Sequence, residues 1–243
     1  MTRRIWIFGG TSPLGSRLVS GLKQDAEVIC FGRSEPEGDT SRVRVDFSDE
    51  QNLRDTLRIN YGERPPGGIV FAQRYRPVQE ASTLDSVAAG LKVELGPLFA
   101  VVDLLKEHGN TGLLRSIVMY SSTAANSAHL DVPVFYHLLK SMTVSSVISL
   151  SPDLGGFNIK INALILGDFL KYSIDSYSAK ERLNFQKIAE ISADRRCGSI
   201  SDIVEATRYL LSDEASYITG QVIHVDGGAN LISPASYIRT LGL

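Results

Sequence analysis

Short apolar runs rich in β-branched and aromatic residues alternate with longer stretches of helical spacing along the whole chain. Residues 4–8, 27–31, 43–46, 68–71, 116–120, 159–164 and 221–225 read as strands. Between them, residues 14–23, 50–61, 84–108, 133–153 and 202–212 read as helices. The third helix opens on Ser82-Thr83-Leu84-Asp85, the spacing of a capping box. Most of the strand runs are apolar at consecutive positions, which fits burial on both faces of a sheet. The pattern predicts an α/β fold with one domain over residues 1–243: a doubly wound parallel sheet of about seven strands, with helices on both faces.

Two stretches depart from this alternation. Residues 165–200 make a connection long enough to be a substrate loop or lid, partly helical, and contain Asp168, Phe169, Leu170, Tyr172 and Tyr177. The tail, 229–243, is too apolar for a solvated terminus. It packs either on its own domain or against another subunit.

Composition narrows the functional classes. With 243 residues, 43% hydrophobic and 21% charged, the chain has the make-up of a globular protein. A formal net charge of −2 provides no bulk attraction to nucleic acid or anionic lipid. Cys30 and Cys197 have neither a metal-type spacing nor a disulfide framework, and the four histidines are scattered, so no metal site is expected. No apolar run approaches the ~18–20 residues that span a bilayer. Arg3-Arg4 precedes a short apolar run that reads as a first strand ending at Gly9-Gly10 rather than as an export signal. A cytoplasmic protein without nucleic-acid or membrane partners is the expectation.

The candidate chemistry starts in the turn Gly9-Gly10-Thr11-Ser12-Pro13-Leu14-Gly15, between the first strand and the first helix. Glycines there let backbone N–H groups approach a pyrophosphate, which the helix N-terminus also attracts. Pro13 stands where the middle glycine is usual and carries no N–H. At the end of the second strand, Phe31-Gly32-Arg33-Ser34 offers no acid for a ribose 2′-hydroxyl; the forked guanidinium of Arg33 suits a 2′-phosphate, or is simply solvated. Asp46 is either an acceptor for the adenine amino group or a turn aspartate. Tyr136 and Lys140 lie four residues apart, one turn along a helix face. An ammonium beside a phenol stabilises the phenolate and makes the tyrosine a usable proton donor and acceptor. Arg74-Tyr75-Arg76, just past the fourth strand, places two arginines at the ligand-facing rim, where they suit an anionic substrate, serve the cofactor or are solvated.

These segments, with Ser121-Ser122, Ile159-Lys160-Ile161-Asn162-Ala163, Tyr217-Ile218-Thr219-Gly220-Gln221 and Val225-Asp226-Gly227-Gly228, resemble the classical short-chain dehydrogenase/reductases over nearly the whole chain. The resemblance implies a Rossmann-type domain that binds NADP(H), with NAD(H) as the alternative, and transfers hydride between nicotinamide and a ketone, aldehyde or alcohol. By position, Ser122 matches the serine that hydrogen-bonds the substrate oxygen, with Ser121 as the alternative register. Tyr136 matches the acid/base, and Lys140 the lysine that assists it and holds the nicotinamide ribose. The cofactor would meet Gly9, Thr11, Ser12, Leu14, Gly15, Arg33, Asp46, Phe47, Ala72, Gln73, Tyr136, Lys140, Gly167 and Phe169. The substrate would meet Arg74, Arg76, Phe135 and Tyr172.

The departures fall around this set. Phe71-Ala72-Gln73-Arg74 stands where the family has Asn-Asn-Ala-Gly, and Glu94 where it has a relay asparagine. Leu166-Gly167 replaces Pro-Gly, and Lys171 falls near the expected threonine. Glu94 either accepts from Lys140 through water or turns away to a surface base. Two alternatives stand beside the oxidoreductase: a sugar-type epimerase acting through a keto intermediate, and a non-catalytic nucleotide-binding regulator or partner subunit. The family also implies a homodimer or homotetramer built on helices 84–108 and 133–153.

Overall fold

The computed structural model describes residues 3–33, 41–77 and 81–240; Ser34 and the last three residues of the tail lie outside them. In chain order the strands are β1 (Arg3–Phe8), β2 (Ala26–Gly32), β3 (Ser41–Arg44), β4 (Gly68–Phe71), β5 (Ser116–Ser122), β6 (Lys160–Leu166), β7 (Phe169–Leu170), β8 (Gly198–Ser199) and β9 (Val222–Val225). The helices are α1 (Pro13–Leu22), α2 (Glu50–Glu63), α3 (Thr83–Glu94), α4 (Gly96–His108), α5 (Val134–Gly156), α6 (Ala179–Glu190), α7 (Ile200–Leu211) and α8 (Pro234–Thr240). Seven strands form one parallel sheet in the order β3-β2-β1-β4-β5-β6-β9. β7 and β8 pair separately.

Strand residues alternate between two cores. Trp6, Phe8, Ile69, Phe71, Ile117 and Met119 pack with Leu53 and Leu57 of α2, Leu98 and Leu105 of α4 and Val147 of α5. Ile5, Ile7, Val70, Val118 and Tyr120 face the other side, against Leu18 and Leu22 of α1 and Ile203 and Val204 of α7. Both faces of each central strand are therefore dry, which explains the continuous apolar runs in the sequence. Phe8 stacks between Phe31 and Phe71, with ring centroids 4.8 and 4.7 Å away.

One expected helix proves to be two. α3 ends at Glu94 and α4 begins at Gly96, because Pro97 in the next turn supplies no N–H and its ring crowds the preceding turn. The capping box expected at Ser82 is only half formed. Ser82 Oγ accepts from the Asp85 N–H at 3.1 Å, while the Asp85 carboxylate takes the Ser82 hydroxyl rather than its backbone N–H. Full capping boxes occur instead at Ser178/Glu181 and Ser199/Asp202, opening α6 and α7. The long connection after β6 is partly helical, as expected, and consists of β7, a 3-10 turn, α6 and β8. In the tail, the Tyr237 hydroxyl of α8 donates to Glu190 of α6 at 3.0 Å, while Leu231 and Ile238 stay exposed.

Two family-like segments have structural work. Asn162 is fully enclosed and bonds both ways across β6 to the loop before β9. Its Nδ2 donates to the Ile218 carbonyl, and its Oδ1 accepts from the Gln221 N–H. Gly227 and Gly228 have φ of +62° and +75°, a backbone that a Cβ strains.

The sheet places the site. All seven strands end on the same rim, and the connections reverse direction between β1 and β4. This makes a crevice lined by the loops after β1, β4, β5 and β6.

Candidate functional site

At the β1 end of the crevice the chain turns through Gly9, at φ +82°. A Cβ there would lie 2.6 Å from the backbone of Gln73, so the β1 and β4 loops approach too closely for any other residue. Ser12 caps α1: its Oγ accepts the Gly15 N–H at 3.0 Å and its carbonyl accepts the Ser16 N–H at 2.8 Å. With Pro13 lacking a donor, Leu14 keeps the one first-turn N–H without a bond among the described residues. Gly15 packs under the turn against Gly9 and Gly10. It does not line the described cavities.

Two adjoining cavities occupy the crevice. The first, of about 270 Å³, is lined by Gly9, Thr11, Ser12, Arg33, Asp46 and Phe47, and by Ala72, Gln73, Arg74 and Arg76. The second, of about 630 Å³, shares Ser12, Ala72, Gln73, Arg74 and Arg76 with it, so the two form one trough. Its walls also include Leu14, Ser122, Tyr136, Lys140, Gly167, Phe169 and Tyr172. Arg33 is exposed at the first cavity. Asp46 takes the turn role: its Oδ1 accepts both the backbone N–H and the hydroxyl of Ser48, which hold its carboxyl below the ordinary range.

The two serines differ. Ser121 is buried, and its hydroxyl donates to the Lys140 carbonyl at 2.9 Å, which makes it a brace for α5. Ser122 is half-buried at the end of β5 and accepts the Ala124 N–H at 3.3 Å. Both serines line the larger cavity, and Ser122 is the more exposed of the two. Phe135 does not line the described cavities. It packs edge-on against Tyr75, with centroids 6.0 Å apart, and so supports the arginine loop.

Lys140 is 4% exposed, and its Nζ donates to Glu94 Oε2 at 2.7 Å. Glu94 is 3% exposed, and its Oε1 accepts the Tyr75 N–H at 3.1 Å. The Glu94 carbonyl accepts from Gln73 Nε2 at 2.8 Å. Glu94 accepts from Lys140 as the first sequence reading expected, but directly rather than through water, and it does not turn away to a surface base. The packing of α3 on α5 causes it. Leu139, fully buried, fills the notch left by Gly90, and Glu94 lies one turn beyond Gly90 on the same face of α3.

Gln73 Oε1 is buried beside both cavities without a hydrogen-bond partner. Such an atom is costly unless a ligand or water serves it. Together with the bare backbone at Gly9, it fits a polar nucleotide in the trough. Two cations flank the Tyr136 ring: Arg74, with its guanidinium carbon 4.7 Å from the centroid, and Lys140, with Nζ at 5.4 Å.

Sequence reasoning missed Phe185 and gave no role to Tyr177, although both line the larger cavity. The Tyr177 hydroxyl accepts the backbone N–H groups of Lys171 and Tyr172, and its ring packs edge-on with Phe185. The only signal was the cluster of aromatics in 165–200. Asp168 also lines that cavity, and desolvation pushes its carboxyl above the ordinary range.

Comparison with known proteins agrees with this geometry. A model described as enoyl-(acyl carrier protein) reductase, from the short-chain dehydrogenase/reductase group, matches residues 69–230. A 1,6-dihydroxycyclohexa-2,4-diene-1-carboxylate dehydrogenase of Acinetobacter baylyi is 29% identical over 67% of this chain and 63% of its own length. An uncharacterised oxidoreductase of Mycobacterium tuberculosis is 36% identical over 46% of this chain and 43% of its own. The chain thus spans less than two thirds of either relative. An aldohexose dehydrogenase of Thermoplasma acidophilum superposes with a TM-score of 0.80 at 17% identity, covering 96% of this chain and 95% of that one. A short chain dehydrogenase of Leptospira borgpetersenii with bound NAD+ gives 0.76 at 20% identity, covering 94% and 93%. These two structural likenesses bear on the fold alone. The family match, by contrast, covers the sequence from β4 to β9 that carries Ser122, Tyr136 and Lys140, and on that ground the chain belongs to the short-chain dehydrogenase/reductase family.

Proposed function

We propose that this protein is an NADP(H)-preferring oxidoreductase that interconverts a carbonyl and an alcohol on a small molecule, with Tyr136 as the acid/base. The observation that carries the reading is the meeting of Ser122, Tyr136 and Lys140 on the wall of a trough continuous with the Gly9–Ser12 turn. The bound dinucleotide supplies or accepts the hydride at its nicotinamide ring. The Gly9 turn and the Leu14 N–H would hold its pyrophosphate, the cavity beside Arg33 would take its adenosine end, and the unpartnered Gln73 Oε1 would offer it an acceptor. Arg33, with no acid beside it in Phe31-Gly32-Arg33, favours a 2′-phosphate.

In the reducing direction Tyr136 gives its proton to the substrate oxygen, and Ser122 donates a hydrogen bond to the same oxygen as charge develops there. In the oxidising direction the Tyr136 phenolate takes the proton back. Lys140, pinned by Glu94, is held beside this exchange on the wall of the trough. Arg74 and Arg76 at the trough suit a substrate that carries a carboxylate or phosphate.

A second reading, a nucleotide-binding regulator, is favoured by one observation: Arg74 projects over the Tyr136 ring, where the family has glycine. Crystals grown with NADPH, and turnover assays on a panel of carbonyls and alcohols, decide between the two. The enzyme reading requires the Tyr136 hydroxyl to face an open pocket beside the nicotinamide. It fails if Arg74 or the 73–76 loop fills that pocket in every state and no compound turns over.

A further inference from the structure

Glu94 and Arg74 both depart from the family pattern, and the structure makes them neighbours of one phenol. A lysine one turn from a tyrosine assists proton transfer because it is a net positive charge. Here that charge is offset. Lys140 Nζ lies 2.7 Å from Glu94 Oε2 inside the protein, so the phenol sees a compact ion pair rather than a free cation. Arg74 lies nearer, 4.7 Å from the ring centroid against 5.4 Å for Lys140, and makes no ion pair among the described residues. A cation over an aromatic face is held by the ring's electron density, which rises when the phenol ionises.

We infer that Arg74, rather than the Lys140–Glu94 pair, supplies the positive charge that stabilises Tyr136 when its phenol releases the proton. The inference rests on the reading of Tyr136 as the proton donor. The two jobs usually joined in one lysine are here divided: Glu94 fixes Lys140 in place, and Arg74 carries the charge. The step itself is simple in balance. The phenol O–H bond breaks, the proton passes to the substrate oxygen, and the electron pair stays on the phenolate beneath the guanidinium.

Other charged groups around Tyr136 do not fill this role. From its own helix only Lys140 reaches the ring, while His137 is engaged at both ring nitrogens with the 129–133 loop. α3 contributes Glu94. The segment after β6 brings Asp168 and Lys171 to the cavity wall, one of each sign. From the loop after β4, Arg76 lines the trough beside Arg74.

The test needs no known substrate. The ultraviolet absorption of tyrosinate is followed against pH in the wild type and in Tyr136→Phe, and the difference isolates the Tyr136 phenol. Arg74 is exposed, so Arg74→Met and Arg74→Lys leave the fold intact. Arg74→Met should move the Tyr136 signal to higher pH, because the guanidinium over the ring is gone. Arg74→Lys should restore most of the shift. An unmoved signal in Arg74→Met overturns the inference. So does a variant whose only change is weaker NADPH binding by calorimetry, since Arg74 would then serve the cofactor phosphates. If Tyr136→Phe instead retains NADPH-dependent carbonyl reduction, the functional reading fails while the titration result for Arg74 still stands.

Discussion

Glu94 and Lys140 form an enclosed ion pair, with Oε2 and Nζ 2.7 Å apart and side chains 2% and 5% exposed. Enclosed pairs of this kind add little net stability, since desolvation consumes most of the attraction, but removing one partner strands the other charge. Glu94→Ala should therefore cost about 3–5 kcal/mol, read from the urea unfolding midpoint. Glu94→Leu combined with Lys140→Met should recover most of that loss. If the double variant is no more stable than Glu94→Ala, the loss comes from the freed Tyr75 N–H rather than from the stranded lysine.

Replacing Tyr136 with phenylalanine keeps the ring and its packing while removing the proton. Turnover should fall by ~10²–10⁴-fold, with NADPH affinity nearly unchanged. Single-turnover kinetics, once a substrate is in hand, separate the two effects. Near wild-type turnover would leave Tyr136 without a role in proton transfer.

Cofactor choice turns on Arg33. NADPH should bind more tightly than NADH by about 1–3 kcal/mol, the worth of a charge-assisted pair. Arg33→Ala should close most of the gap, and calorimetry with both nucleotides measures it. Equal affinities in the wild type would remove the case for NADP(H).

Gly15→Ala is a test of packing against propensity. Alanine in a helix is favoured over glycine by about 1 kcal/mol. At this position, however, the added Cβ runs into the Gly9 carbonyl oxygen and the Gly10 backbone, which cannot swing aside as a side chain would. Overpacking of about 1–3 kcal/mol should win, so the melting temperature should drop and NADPH affinity with it. A rise in melting temperature would show that the turn yields.

Acid stability should report on Asp202, which opens α7. Its carboxylate accepts from Arg196 at 2.8 and 3.0 Å and from the Ser199 N–H and hydroxyl, each at 2.7 Å. These bonds hold the carboxyl well below the usual range, with the Arg196 bond the largest cause. A depressed folded value means the stabilisation is present above the unfolded value of about 3.9 and is lost as pH falls through the folded one. Asp202→Asn should therefore lower the melting temperature at pH 7, and the gap to wild type should shrink below about pH 4. A gap that stays constant to pH 2 would assign the effect to the cap's shape rather than its charge.

Much of the architecture was legible because it rests on local patterns. Seven runs bounded by turns predicted the seven strands of the main sheet; the five inner strands are apolar at most positions because both their faces are dry, whereas the edge strands β3 and β9 are only partly buried. Gly9 and the Tyr136–Lys140 spacing were visible for the same reason: a positive φ and a one-turn separation are properties of neighbouring residues. Boundaries were less secure. The break at Leu95–Gly96 was written in Gly96-Pro97, yet the apolar spacing runs on through it.

The sequence by itself determined the parallel α/β sheet, the glycine turn at its first crossover and the presence of a phenol and an ammonium one turn apart. Only the tertiary structure decided how charge is distributed around that phenol. Glu94 and Lys140 are 46 residues apart in the chain, and their ion pair exists because Leu139 seats in the notch at Gly90. Ser121 and Ser122 are adjacent in sequence and both line the larger cavity, but strand alternation ties the Ser121 hydroxyl to the Lys140 carbonyl of α5 and leaves Ser122 the more exposed of the two. Arg74 comes to lie over Tyr136 because β4 and β5 are neighbours in the sheet and their loops share one rim. Short-range pattern fixes which groups a chain can offer; long-range packing sets the distances at which their charges act, and electrostatic influence depends on those distances.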